Sequence, residues 1–282
     1  MHKILSKRSL GPAIREYVVH APDVARTARA GQFVVIRLHE RGERIPLTIV
    51  ECDANTGGVT LVVQEVGKST REMGERFHAG GAILDLAGPL GVPSDIENYG
   101  TVVCVGGGLG IAPLYPIARD LHEAGNTLIG ILGARNEDLL FYVDKMAAVC
   151  DEMHVMTDDG SNGHKGFVSD PLREILESGR TVHRVWAIGP AMMMKTCSAV
   201  TREHDVPTVV SLNSVMIDGT GMCGGCRVEV GGAVRFACVD GPEFDGHLVD
   251  YDLLMSRQRY YANEETCSLE RYLAGAQKER AD

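Results

Sequence analysis

Between residues 218 and 238 the chain places one carboxylate and three thiols, Asp218, Cys223, Cys226 and Cys238, with four, two and eleven residues between them. Such spacing constrains the fold tightly, because four side chains from one segment must converge on one centre. Cysteine thiolates hold iron–sulfur clusters, and the plant-type [2Fe–2S] pattern leaves four and then two residues between its first three ligands, with the fourth further along. Here aspartate stands where that pattern has its first cysteine. Gly219, Gly221, Gly224 and Gly225 fill most of the gaps, and glycine admits the positive φ and close approach that let backbone amides point at sulfur. A Cys-x2-Cys pair is also half of many zinc sites and of redox dithiols. Asp218-Gly219 is likewise an ordinary turn dipeptide, so its spacing leaves ligand and turn both open. As a ligand the carboxylate is a harder donor than thiolate, which alters the cluster's potential and holds one iron more weakly.

At 282 residues the chain has room for two or three domains with cores of their own. Its net charge of −10 argues against nucleic acid and against an anionic membrane surface, and suits a basic or mixed protein partner. No apolar run approaches the ~20 residues of a membrane span, and the start, Met1-His-Lys-Ile-Leu-Ser-Lys-Arg-Ser9, lacks the apolar stretch of a signal peptide. The expected location is cytoplasmic. Cys52, Cys104, Cys150, Cys197 and Cys267 lie scattered without a pairing pattern, as in a reducing compartment. Cys104, inside Val102-Val-Cys-Val105, reads as a small core residue.

Three segments follow from the rhythm of the chain. Residues 1–97 carry short β-branched runs, Phe33–Leu38, Leu47–Val50, Val59–Val66 and Ala82–Leu86, between turn signals, which predicts an antiparallel β-barrel. Residues 98–210 change to strand, glycine loop, helix, strand, which predicts a Rossmann-like α/β domain with a parallel sheet. Residues 211–282 hold the cluster pattern and a tail whose apolar residues fall at helical spacing. Gly106, Gly107, Gly108 and Gly110 follow a buried strand and precede Ala112-Pro113-Leu114, so the loop and the helix start suit a pyrophosphate. At the end of the next strand, Ala134 and Arg135 occupy the place that meets an adenosine ribose in such folds. Arg135 there favours a 2′-phosphate, or simply caps the strand.

Barrel, nucleotide domain and [2Fe–2S] loop in this order resemble the ferredoxin-NADP reductase superfamily, in the branch of the dihydroorotate dehydrogenase B electron-transfer subunits. The resemblance covers nearly the whole chain. Arg44, Pro46, Leu47 and Thr48 are similar to that branch's flavin-holding Arg-x-Pro-(Ile/Leu)-(Ser/Thr) element. By the same resemblance Val62, Val63, Gln64, Ser69 and Thr70 contact the rest of an FAD, and Asp158, Gly189 and Pro190 line the nicotinamide crevice. Ile188-Gly189-Pro190 departs from the superfamily's frequent Cys-Gly-Pro. The aspartate-first ligand set and the tail from Val239 resemble instead the small subunits of bifurcating NADH-dependent reduced ferredoxin:NADP oxidoreductases. That resemblance implies an oxidoreductase with FAD, a [2Fe–2S] cluster and NAD(H), or NADP(H) as the alternative. It also implies a larger FAD and [4Fe–4S] partner subunit, through which ferredoxin is reached. No side chain is required as general acid or base. The rival expectations are a pyrimidine-pathway subunit and a stand-alone reductase.

Overall fold

The computed structural model describes residues 1–279; the last three residues of the third segment lie outside them. The first sheet is built from β1 (His2–Gly11), β2 (Ile14–His20), β3 (Phe33–Arg37), β4 (Arg44–Asp53), β5 (Gly58–Gln64), β6 (Ala82–Ile83) and β7 (Asp85–Leu90), with helix α1 (Pro22–Thr27) and helix α2 (Lys68–Arg76) in its connections. Its strand order is β6-β1-β2-β5-β4-β3-β7, antiparallel throughout. β6 and β7 lie at opposite edges yet are separated only by Leu84, so the sheet has curled round on itself. Ile4, Tyr17, Val34, Ile36, Ile49, Leu61 and Val63 fill the curl, and one-sided burial of this kind fixes strand register.

The second sheet runs β10 (Glu152–Thr157), β9 (Thr127–Ala134), β8 (Thr101–Gly107), β11 (Arg184–Ile188) and β12 (Thr208–Ser211), all parallel. Helices α3 (Ile111–Glu123), α4 (Val143–Ala147), α5 (Ser169–Glu177) and α6 (Ala191–Glu203) connect these strands. Alternation sorts the strand side chains between two faces. Val103, Val105, Ile129, Val185 and Ala187 pack with Leu172, Ile175, Met194 and Val200 of α5 and α6. Val102, Cys104, Leu128 and Trp186 pack with Ile111, Leu114, Ile117 and Leu121 of α3, each such side chain contributing about 1.5–3 kcal/mol on burial. Cys104 is a core residue, fully buried.

The third segment forms the hairpin β13 (Arg227–Val230) and β14 (Ala233–Phe236), then β15 (Glu243–Asp245), helix α7 (Tyr251–Gln258) and helix α8 (Ala262–Glu279). β15 returns to the second sheet and pairs antiparallel with β12. Helix α7 buries Tyr251 and Leu254 against the nucleotide side. Helix α8 reaches back to the first sheet, where the Tyr272 hydroxyl donates to Glu75 of α2 at 2.7 Å. Among the described residues no helix is long and apolar enough to cross a membrane.

Candidate functional site

Between the two sheets opens a cleft of 930 Å³, within the range of cofactor sites. Pro46, Leu47 and Thr48 of β4 line it from the barrel side, with Val62 and Gln64 of β5 and Phe33 of β3. Phe33 stands directly opposite Thr48 in the β3–β4 register. From the other side come Gly107, Gly108 and Gly110, then Ala134, Arg135 and Asp158 at the ends of β9 and β10, and Gly189 and Pro190 after β11. Strand ends of a parallel sheet and the start of α3 thus face one crevice, as in nucleotide folds. The α3 start supplies orphan amides and the positive end of a helix dipole. Gly110 lets that start approach β11: a Cβ there would stand 2.2 Å from the Ile188 carbonyl oxygen and 2.7 Å from Gly189 Cα.

Five expected contacts lie elsewhere. Val63 points into the barrel core because residues alternate along β5, and Val62 takes the cleft side. Gly106 is packed beneath the loop, where a Cβ would meet Leu114 at 2.9 Å. Arg44 is exposed at the strand start opposite Arg37. Ser69 and Thr70 belong to helix α2, not to a turn. Ser69 is buried and donates to Glu43. The Thr70 hydroxyl accepts from the amides of Val66 and Gly67 at 3.1 and 3.0 Å, so it caps its own helix. These five do not line the cleft. Conversely, Phe167, Met193, Ser211, Leu212, Asn213, Ser214 and Met216 do line it and were not foreseen; no motif marks them.

The two sheets are tied across the back of the cleft. Tyr142 ahead of α4 donates its hydroxyl to Glu16 of β2, which Arg8 also grips with two bonds of 2.8 Å. Burial pushes the Glu16 carboxyl upward, but the Arg8 and Tyr142 bonds bring it below its ordinary range. Lys145 of α4 pairs with Glu51 of β4 and lies 4.5 Å over the Tyr142 ring. At a second junction Glu243 accepts from Ser94 at 2.6 Å and from Trp186 Nε1 at 3.2 Å. Burial raises the Glu243 carboxyl above its ordinary value.

The cluster loop adjoins the barrel end of the cleft. A Cβ on Gly219, where φ is +76°, would meet Leu90 and Val35 at 2.9 Å, so the loop lies on β7 and β3. Gly231 and Gly232, both at positive φ, make the tight turn of the β13–β14 hairpin. Its register pairs Arg227 with Phe236. Cys226 and Cys238, flanking the two strands, are therefore brought side by side, their sulfurs 3.2 Å apart and buried. The Gly225 amide donates to Cys223 Sγ at 3.4 Å. Asp218 accepts from the amides of Thr220 and Cys223 at 3.0 and 2.9 Å, and the Thr220 bond above all holds its carboxyl below the ordinary range. Two thiols are thus paired, while Cys223 and Asp218 share the exposed lip. Among the described residues no three candidate ligands already converge on one metal position. Paired thiols, an amide on sulfur and a carboxylate on one glycine loop fit the donor set of an iron–sulfur cluster.

Residues 213–250 match the family of iron–sulfur cluster binding domains of dihydroorotate dehydrogenase B. Residues 104–199 match the oxidoreductase NAD-binding domain. A dihydroorotate dehydrogenase B (NAD(+)) electron transfer subunit homolog of Thermotoga maritima is 49% identical over 276 residues, covering 98% of this chain and 97% of that one. The corresponding electron transfer subunit of Clostridium perfringens is 32% identical, over 79% of this chain and 87% of its own. A chain in a structure of the NADH-dependent reduced ferredoxin-NADP oxidoreductase, solved in work on flavin-based electron bifurcation, superposes with a TM-score of 0.91 at 49% identity, over 97% of this chain and 98% of that one.

Proposed function

We propose, for a chain that belongs to the family of dihydroorotate dehydrogenase B electron-transfer subunits and their homologues, that it is the NAD(H)-facing subunit of a bifurcating NADH-dependent ferredoxin:NADP oxidoreductase. The observation that carries this reading is the near-complete superposition on that enzyme's chain at 49% identity. When bound, FAD would supply a hydride acceptor for NADH and a source of single electrons for the iron–sulfur cluster. Pro46, Leu47, Thr48, Val62 and Gln64 then form the flavin's bed, with Arg44, Val63, Ser69 and Thr70 holding that bed in shape. Gly107, Gly108 and Gly110 offer amides to the nucleotide pyrophosphate, with Gly106 packed beneath. Ala134 and Arg135 face the ribose, and Asp158, Gly189 and Pro190 bound the nicotinamide. Asp218, Cys223, Cys226 and Cys238 hold a [2Fe–2S] cluster whose electrons leave to a larger FAD and [4Fe–4S] subunit, and ferredoxin is served through that complex.

The dihydroorotate reading has its own support in the family matched by residues 213–250. Anaerobic purification of the tagged chain from its host separates the two. The bifurcating reading requires a co-purifying iron–sulfur flavoprotein that reduces ferredoxin; an FMN-bearing dihydroorotate dehydrogenase chain in its place would overturn it.

A further inference from the structure

Tyr142 stands in the left-handed region, φ +56°, which a bulky side chain adopts rarely and keeps only where its surroundings fix it. What fixes it is a strut between the two sheets. The ring is buried against Tyr115 of α3, with centroids 5.7 Å apart. Its hydroxyl crosses to the barrel and donates to Glu16 of β2, which Arg8 of β1 holds by two bonds of 2.8 Å. Lys145 of α4 makes a second limb: its ammonium lies over the Tyr142 and Tyr115 rings, at 4.5 and 4.9 Å, and pairs with Glu51 of β4. Each foot of the strut stands close in sequence to a residue that lines the cleft. Ile14 shares one face of β2 with Glu16, Val50 precedes Glu51, Ala112 lies one turn before Tyr115 on α3, and Leu139 closely precedes Tyr142. The strut therefore sets how far β2 and β4 of the barrel stand from α3 and from the segment that follows β9. Tyr142 itself is not among the cleft-lining residues, so it acts through the frame and not by touching an occupant.

We infer that Tyr142 is a positioning residue: its hydroxyl, anchored on Glu16, sets the separation of barrel and nucleotide domain at which a hydride passes from NADH to flavin. The inference rests on the FAD and NAD(H) assignments above. In that step the hydride leaves NADH with both its electrons, giving NAD+ and reduced flavin. The test uses the full-length holo-chain with Tyr142→Phe, which keeps the ring and removes the hydroxyl. Stopped-flow mixing with NADH separates the limiting rate of flavin reduction from the dissociation constant, and the long-wavelength charge-transfer absorbance of the NAD(H)–flavin complex reports how the two rings stack. A misplacement on the order of 1 Å loses about 10²-fold in rate, so the smaller shift allowed by one lost bond lowers the limiting rate on the order of tenfold and weakens the charge-transfer band. NADH affinity and the contents of FAD and iron stay within about twofold of wild type. Lys145→Gln, at a part-exposed position, loosens the second limb alone and gives the same signature more weakly, which decides the matter if Tyr142→Phe does not fold. A lowered Tm with rate and band unchanged makes the strut structural only and overturns the inference. A raised dissociation constant at an unchanged limiting rate also overturns it, because the loss then lies in nucleotide binding. Wild-type chain that takes up no FAD, or whose flavin NADH leaves oxidised, overturns the cofactor reading and the inference with it.

Discussion

Gly110→Ala tests how the nucleotide loop is placed. The native backbone there, φ −61°, suits any residue, so the substitution acts through space alone. The added methyl would lie 2.2 Å from the Ile188 carbonyl oxygen and 2.6 Å from its carbon. Both are backbone atoms of a buried central strand, which cannot rotate away as a flexible side chain would. Relief needs a displacement on the order of 1 Å between α3 and β11, and overpacking of this kind is destabilising by about 1–3 kcal/mol. Such a strain lowers Tm by roughly 2–12 °C for a protein of this size. A displacement of ~1 Å in a binding loop lowers kcat/KM on the order of 10²-fold. The assay is NAD(H)-driven ferricyanide reduction with flavin and iron contents measured alongside, both expected at wild-type levels because the barrel and cluster loop are untouched. Gly108→Ala is the control: its Cβ meets nothing within 4 Å, but φ is +53°, which leaves only a backbone term of about 1–2 kcal/mol. If Gly110→Ala keeps its Tm and its kcat/KM within about twofold of wild type, the steric reasoning is wrong.

Cys226→Ser removes one of the paired thiols, so iron and sulfide fall to a small fraction of wild type while FAD stays bound; retained iron would exclude Cys226 as a ligand. Asp218→Cys keeps the cluster and shifts its potential, and indistinguishable redox titrations of the two proteins would remove Asp218 from the ligand set. Glu243→Gln flattens the pH dependence of stability. The folded Glu243 holds its proton more tightly than the ordinary 4.5, so its contribution is full below that value and is lost as pH rises through the raised one. Tm measured from acid to neutral pH should fall less in the Gln variant, and parallel curves would contradict the assignment.

The fold was legible where residues repeat with a clear period. Phe33–Arg37, Gly58–Gln64, Thr101–Gly107 and Thr127–Ala134 form the strands their β-branched runs predict, and the glycine loop opens a helix as its Pro113 suggests. The sequence does not mark α2 as a helix, because Gly67 and two hydroxyl residues look the same in a turn and at a helix start; the Thr70 bonds to the Val66 and Gly67 amides decide for helix. The Gly231-Gly232 signal for a hairpin was present but masked by the ligand spacing around it, although that hairpin is what joins Cys226 to Cys238. Charged β1 carries no alternation to mark it. Cleft residues such as Ser211 and Met216 could not be read at all, since only the fold of the segment from the end of β12 onward brings them to the cleft. Val63 shows the limit of a motif: resemblance named the strand, and the two-residue period chose its neighbour Val62.

Electron passage from the cleft to the cluster loop is tested most directly by anaerobic reduction of the isolated holo-chain by NADH, followed together by flavin absorbance and low-temperature EPR. The expected result is bleaching of the flavin and the appearance of a reduced [2Fe–2S] signal in wild type, with bleaching but no such signal in Cys226→Ser. Flavin bleaching in wild type with the cluster left oxidised, or no bleaching by NADH at all, would contradict electron passage from the cleft to the Cys226–Cys238 loop.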